Sequence, residues 1–345
     1  MVSESGLRLL IVDIRRDLQI KAEVVRLLQA CQLEMDDAIS LFVVAQSGQE
    51  LAGCAGLDGN VVKCVAVDER WRGENVCAGL MSEIQNYAMS QGHLHLFLFT
   101  RPTNRSRFQQ CGFWPIAQTD SVLLMENIPR GINRYCATLA QSLRSGEKIG
   151  SVVMNANPFT LGHRYLAEQA AACCDWLHIF VVEENASLFS FDDRLAMVQQ
   201  GVSDLPNVSV HKGGAYIISR ATFPSYFLKA SGNVEQAWCA LDLRIFRQYI
   251  APALHVTHRF VGSEPFCPVT RQYNQAMQAD LSAYDSGLPA INVVEMPRMT
   301  DAGGVAVSAS EVRRLLTAHQ FPAIARRVPP STLQYLQTKH FALTA

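Results

Sequence analysis

The sequence is short of the features that mark several classes of protein. No apolar run in its 345 residues approaches the ~20 that a membrane-spanning helix needs. The opening stretch, MVSESGLRLLIVDIRRD, carries charge throughout and holds no signal-peptide core. Neither sign of charge is in excess, with Lys+Arg 30 against Asp+Glu 31, and this argues against bulk nucleic-acid binding, which rests on neutralising many phosphates. The ten cysteines include no CxxC pair and no Cys/His zinc spacing, so a metal site and a disulfide framework are both disfavoured. Cys173 and Cys174 adjoin on a helical stretch and read as reduced core thiols. The expectation is a soluble, cytoplasmic protein with no nucleic-acid or membrane partner.

What is present suffices for two cores: hydrophobic residues make up 49% and charged residues 18%, and this length favours two domains. The stretch IGSVVMNANPFTLGHRYLAEQA, residues 149–170, carries the clearest order of elements. Ile149 to Met154 is a β-branched apolar run, the pattern of a buried parallel strand. Asn155 to Gly162 is turn chemistry, and from His163 the spacing turns helical, with Leu166, Ala170 and Cys174 on one face. A helix start offers unpaired N–H groups and about half a positive charge. It is therefore a seat for phosphate, and His163 adds a side-chain donor beside it.

The remainder of this half alternates strands with helices, which implies a parallel, doubly wound sheet. LHIFVV (177–182) and NVSVHKGG (207–214) read as strands, and a third strand ends at Gly262-Ser263-Glu264. Ligands of such sheets sit at the carboxyl ends of strands, so Gly262 to Glu264, with Thr270, Arg271 and Tyr273, are candidates for nucleotide or acyl recognition. Ser190 and Asp193 have capping-box spacing ahead of a helix. Arg194 in its first turn reads either as a nucleotide contact or as a solvated helix arginine. The aromatic stretch 219–229 reads either as pocket lining or as packing. In VSASEVRRLL (307–316), Ser308 and Glu311 have capping-box spacing, and Ser310 and Arg313 share a face. A hydroxyl, a guanidinium and a helix N-terminus are thus gathered together.

The front half differs in pattern. A helix over 18–35 is followed by strands LFVVA, LAGCAGL and VVKCVAV, with a turn at Asp58-Gly59-Asn60 between the last two. After a charged loop come a helix holding Leu80, Ile84 and Tyr87, a strand HLHLFLFT, a short helix at 104–110 and a strand at 121–125. Residues 129–148 read as a linker with a helix around Tyr135–Leu143. No general base for amine acetylation stands out; Glu69 and Glu74 are loop charges.

Two resemblances follow from these residues. Thr160 and His163, with Asn157, Pro158 and Gly162, resemble the (H/T)xGH signature of the nucleotidyltransferase superfamily, and Ser308, Ser310 and Arg313 resemble its second signature, ISSTxIR. The resemblance implies that Thr160, His163 and Arg313 are catalytic and that Asn155, Asn157, Gly162, Arg194, Gly262, Ser308 and Ser310 bind the nucleotide. It also implies ATP as substrate, with Mg²⁺. The front half resembles the GNAT acetyltransferase fold, with Arg72, Gly73, Asn75 and Cys77 where that family has R-G-x-G-x-G/A. That implies a cradle for the pyrophosphate of a CoA-like group. Asn75 departs from a small residue but tolerates positive φ.

The expected architecture is therefore α/β: a GNAT-like α+β domain over 1–130, a linker helix over 131–148, and a doubly wound nucleotidyltransferase-type domain over 149–345. This pairing, and stretches such as SLFSFDDR, ATFPSYFLK and VGSEPFCPVTRQYN, resemble the citrate lyase ligase family along nearly the whole chain. The resemblance implies activation of acetate as acetyl-AMP. It further implies acetylation of a thiol on the CoA-derived prosthetic group of the citrate lyase acyl-carrier subunit. Two other readings stay open: an adenylyltransferase acting on a phosphorylated small molecule, and a CoA-responsive regulatory protein without turnover. One departure stands out: no lysine lies between Lys148 and Lys212, where adenylyltransferases often have one, so Arg194 or Lys212 substitutes or the role is absent.

Overall fold

The computed structural model describes residues 6–184, 186–219, 223–228, 234–264, 268–283, 287–300, 304 and 306–344. In the aromatic stretch 219–229, residues 220–222 and 229 therefore lie outside the described residues. The chain divides into two compact units, one of Met1–Gly131 with Pro224–Ala237, the other of Ile132–Phe223 with Trp238–Ala345. These bounds differ from the expected ones at two places. The helix expected as a linker packs as part of the second unit, where the Tyr135 hydroxyl donates to the carbonyls of Lys212 and Gly213 at 3.0 and 2.9 Å. Segment 224–237, expected inside the second domain, belongs with the first unit. Its Tyr226 carbonyl accepts from Glu34 N, and its Phe227 carbonyl accepts from Arg101.

In the first unit, β1 (Arg8–Asp13), α1 (Leu18–Ala30), β2 (Leu41–Ser47), β3 (Glu50–Asp58) and β4 (Val61–Val67) precede α2 (Val76–Ser90). Then come β5 (Phe97–Thr100), α3 (Arg105–Gln110), β6 (Trp114–Gln118) and β7 (Leu123–Glu126). The sheet runs β1-β2-β3-β4-β5-β7-β6. Only a two-residue turn, Gly59-Asn60, joins β3 to β4, which pair from Asp58↔Val61. The register then shifts where Cys64, buried and at φ +53, forms an irregularity in β4. β4 and β5 run parallel but pair only at Val61↔Phe97 and Val62↔Leu98; beyond that they part. β1 and β6 were not foreseen as strands, and each sits on an outer edge of the sheet.

The second unit opens on α4 (Gly131–Ala140) and continues through β8 (Ile149–Met154), α5 (Leu161–Ala172), β9 (Trp176–Val181), α6 (Phe191–Gly201) and β10 (Val208–Lys212). Next are α7 (Val234–Ile245), which belongs to this unit from Trp238 onward, a π turn at Phe246–Ile250, α8 (Ala251–Leu254), β11 (His258–Gly262), α9 (Pro268–Ser282) and β12 (Asn292–Met296). α10 (Ala309–Thr317), α11 (Phe321–Ile324) and α12 (Pro330–Thr344) complete it. Five parallel strands run β10-β9-β8-β11-β12. The order reverses beside β8, so the crevice of this sheet lies at the carboxyl ends of β8 and β11. A core of Val152, Phe159, Ala167, Ile179, Phe260 and Val312 ties β8, β9 and β11 to α5, α6 and α10. Among the described residues no helix is long and apolar enough to cross a membrane.

Phe159, fully buried, packs closely against α6. A Cβ at Gly201 would stand 2.3 Å from its Cε1, so α6 approaches only because residue 201 has no side chain. We predict that Gly201→Ala destabilises the protein by about 1–3 kcal/mol through overpacking, read as a lower denaturation midpoint. Gly79→Ala, where the nearest atom is 3.5 Å away, should be neutral or stabilising because it removes helix-interior glycine entropy.

Candidate functional site

The turn after β8 is built by its own side chains. Thr160 caps α5 in extended conformation, and a reciprocal capping box forms: Thr160 Oγ1 accepts from His163 N at 3.4 Å while Thr160 N donates to His163 Nδ1 at 3.0 Å. A ring nitrogen that accepts an N–H carries no proton, so the imidazole proton sits on Nε2. Burial, and then the Arg298 cation, push the His163 pKa down to about 4. At neutral pH His163 is thus an uncharged Nε2–H donor at the start of α5, where Leu161 N already donates to the Arg327 carbonyl at 2.8 Å and His163 N to Thr160 Oγ1.

The second motif joins this turn through backbone as well as side chain. A Cβ at Gly162 would meet the Val307 carbonyl at 3.1 Å, so glycine there admits segment 307–313 to the start of α5. Arg313, across 156 residues of sequence, donates from Nη1 to the Asn157 carbonyl at 2.6 Å and from Nη2 to Ser310 Oγ at 3.1 Å. Ser308 caps α10, its Oγ accepting from Glu311 N at 3.2 Å. The expected box is only half formed, because the Glu311 carboxylate turns to Arg314. Thr160, Gly162, His163, Ser310, Arg313 and the Asn157 carbonyl therefore stand on two helix N-termini held against each other.

Arg194 is neither solvated nor free to hold a ligand. It is wholly buried, and its guanidinium donates to the carbonyls of Asn155, Val182, Glu184 and Phe189 and to Asn155 Oδ1. Its place is to fix the two chain segments that leave β8 and β9. Asn155 in turn donates to Glu184 Oε1 at 3.2 Å and Ser187 Oγ at 3.1 Å, and Asn157 Oδ1 accepts from Phe189 N. The second Glu184 oxygen is buried and unpartnered among the described residues. Lys212 lies over the Phe191 ring at the end of β10. Gly262 ends β11, its carbonyl accepting from Asn274. Tyr273 points away to Asp242 and Arg271 to the Glu264 carbonyl.

Two residues escaped the sequence reading. Arg298 donates from its backbone to Ser263 Oγ and pairs with Glu264 at 2.7 Å, and its charge reaches His163. Glu184 is the other. Neither lies in a capping or turn pattern, so no local signal marks them.

In the first unit, the parting of β4 and β5 opens a cavity of about 400 Å³ bounded by Val67, Phe99, Arg72, Asn75, Cys77 and Phe227, among others. Gly73 at φ +97 and Asn75 at φ +57 turn the chain into α2. The caps of α1, α5, α6 and α10 all use a side chain, whereas Asn75 makes no side-chain cap bond. The first N–H groups of α2 are thus left for an acceptor from outside, as an anion cradle requires. The neighbouring thiols of Cys77 and Cys111 act on each other, which pushes the Cys77 pKa up and the Cys111 pKa down.

The tautomer of His163 is measurable. Because its folded pKa lies below the ordinary 6.5, the stability tied to the neutral ring is whole above pH 6.5 and is lost as pH falls toward 4. We predict that ¹⁵N NMR finds the Nε2–H form unchanged from pH 8 to pH 5, with protonation only near pH 4. Titration near 6.5 would contradict the burial and the capping bond.

Residues 149–336 match the family Citrate lyase ligase C-terminal domain, and residues 18–122 match Acetyltransferase (GNAT) domain. The chain is 47% identical over 326 residues to [Citrate [pro-3S]-lyase] ligase of Klebsiella pneumoniae, covering 94% of this chain and 95% of that protein. To the Escherichia coli K12 protein of the same name it is 46% identical over 317 residues, covering 92% and 90%. A shorter match, 39% over 67 residues, joins it to phosphopantetheine adenylyltransferase of Dehalococcoides mccartyi, covering 19% of this chain and 42% of that protein. With a GNAT-like unit, a nucleotidyltransferase-like unit and near full-length relatives of one name, the chain is a ligase that belongs to the citrate lyase ligase family.

Proposed function

We propose that the enzyme activates acetate with ATP, forming acetyl-AMP and pyrophosphate at the turn 155–163, and then passes the acetyl group to a thiol. That thiol belongs to the CoA-derived prosthetic group on the acyl-carrier subunit of citrate lyase, and its acetylation switches the lyase on. The observation that carries this reading is the turn 155–163 itself, which holds the neutral Nε2–H of His163 at one end and, through the Asn157 carbonyl and with Ser310, fixes Arg313 at the other.

In the first step an acetate oxygen attacks the α-phosphorus and the bond to pyrophosphate breaks. Charge grows on the leaving oxygens, and preorganised donors suit that better than proton chemistry does. Thr160, His163 and the α5 N-terminus serve the α-phosphate. Arg313, Ser308, Ser310 and the α10 N-terminus serve the leaving pyrophosphate. Asn155, Asn157, Gly162 and Gly262 shape the nucleotide seat, and Arg194 fixes it from beneath. Among the described residues no group of three or more His, Cys, Asp or Glu is set to hold a metal. Mg²⁺, when bound, would neutralise charge on the ATP phosphates. In the second step the thiol sulfur attacks the acetyl carbon, AMP leaves and the thiol proton is released. Arg72, Gly73, Asn75 and Cys77 hold the pyrophosphate of the prosthetic group, which fits the uncapped start of α2.

The short stretch shared with a phosphopantetheine adenylyltransferase favours a second reading, adenylylation of a phosphorylated small molecule. Exchange of labelled pyrophosphate into ATP separates the two. We predict exchange that requires acetate, slowed by His163→Ala by about 10²–10³, the usual loss for one preorganised donor. Exchange without acetate, or a near-normal rate in the variant, would remove this mechanism. Deleting the front residues is a poor test of the cradle, since 224–237 packs in the same unit. Gly73→Asp, at φ +97, strains the loop and sets a carboxylate against the phosphate. It should lower acetylation of the carrier at least about tenfold and leave the exchange rate unchanged.

A further inference from the structure

A buried sheet in an α/β unit has apolar layers on both faces. Val152 and Phe260 supply one face, with α5, α6 and α10. Their neighbours in sequence, Ser151 and Arg259, point to the other face. Register sets three residues side by side there: His178 on β9 against Ser151 on β8, and Ser151 against Arg259 on β11. Their exposures are 0%, 0% and 3%. A row of polar side chains thus crosses the middle of the sheet where aliphatic ones are the norm.

The row is incompletely satisfied. Ser151 Oγ donates to the His258 carbonyl at 3.3 Å, and His178 Nδ1 shares a proton with His211 Nε2 at 2.9 Å. Among the described residues, Arg259 Nε and Nη1 donate to nothing, and His178 Nε2 has no partner. The Arg259 guanidinium lies 4.4 Å from the Phe246 ring centroid. Asp242, whose charge faces it, engages its oxygens elsewhere, accepting from Ile218 N at 2.8 Å and from the Tyr273 hydroxyl at 2.6 Å. Tyr273 in turn stacks on Trp238. Buried guanidinium donors are rarely left without an acceptor, and two unpartnered side chains in one row point to one missing group.

We propose that Arg259, Ser151 and His178 form a binding site for one small monocarboxylate of acetate size, buried on this face of the sheet and separate from the turn at 155–163. An acceptor with negative charge answers the free guanidinium donors. A single guanidinium, already facing Asp242, cannot offset a multiply charged anion. Phe246, whose ring the Arg259 guanidinium covers at 4.4 Å and Phe180 meets edge-on at 6.4 Å, makes the border of the row aromatic, so a carboxylate on Arg259 has its methyl group near that ring. Arg259 lies three residues before the end of β11, about 10 Å from the strand ends, so the site is not the reacting position. Its occupancy couples the stability of this unit to carboxylate concentration, and it does not depend on the adenylation reading.

Thermal unfolding of the full chain without ATP, in sodium acetate and in sodium chloride of equal ionic strength, tests this. Acetate should raise the midpoint saturably, as ligand linkage requires, while chloride and phosphate should not. Arg259→Met should unfold at the same midpoint in acetate as in chloride. Should that variant not fold, the wild-type protein decides the matter: the methyl protons of ¹³C-acetate should give NOEs to the Phe246 ring. No acetate-specific stabilisation, an equal response in Arg259→Met, equal stabilisation by phosphate, or absence of the Phe246 NOE would each overturn the proposal, water then being the occupant.

Discussion

The second unit depends on one close approach of backbone to backbone. The Val307 carbonyl stands only 3.1 Å from where a side chain at residue 162 would begin, and beside that close approach Arg313 reaches the Asn157 carbonyl. Two helix N-termini from distant parts of the chain are thereby brought to one place. Their partial charges reinforce each other toward an anion and would repel each other without one. The core beneath, where Val312 and Leu315 pack with Phe159 and Ala167, supplies the burial that holds them together. The proposed polyphosphate site thus combines apolar packing on one side with two helix starts on the other.

The capping box of α5 gives that arrangement its chemical character. Fixing Nδ1 as an acceptor leaves the imidazole with one donor, Nε2–H. Burial and Arg298 keep the ring uncharged, so it can donate a hydrogen bond without adding a charge to the site. Arg194 serves the same end from below, spending its whole guanidinium on four carbonyls and an amide so that the segments after β8 and β9 keep their shape. In the first unit the logic is reversed: α2 lacks a side-chain cap and faces a cavity opened by strands that part after two paired residues.

Much of this was legible in the sequence where it is local. The strand, turn and helix of 149–172 follow from a change in period and from turn residues, and Ser308 and Ser190 announce their helices by capping. The positive φ of Asn75 is what an asparagine in that loop permits. Long-range matters were not legible. Nothing in 224–237 says that it packs with residues from the other half of the chain, because Tyr226 and Phe227 find Glu34, Phe99 and Arg101 only in three dimensions. Arg194 reads as a surface charge by residue type, and only the carbonyls that converge on it make its burial tolerable. Arg298 lies in irregular chain and gains its meaning from Ser263, Glu264 and His163.

The central claim is that acetate attacks the α-phosphorus of ATP at Thr160–Arg313. Isotope transfer tests it most directly. With acetate carrying ¹⁸O in both oxygens, the account requires one ¹⁸O in the AMP released when the acetyl group moves to the carrier thiol, and none in pyrophosphate. Label found in inorganic phosphate, or AMP released without ¹⁸O, would contradict it, since the carboxylate would then have attacked another phosphorus or none at all.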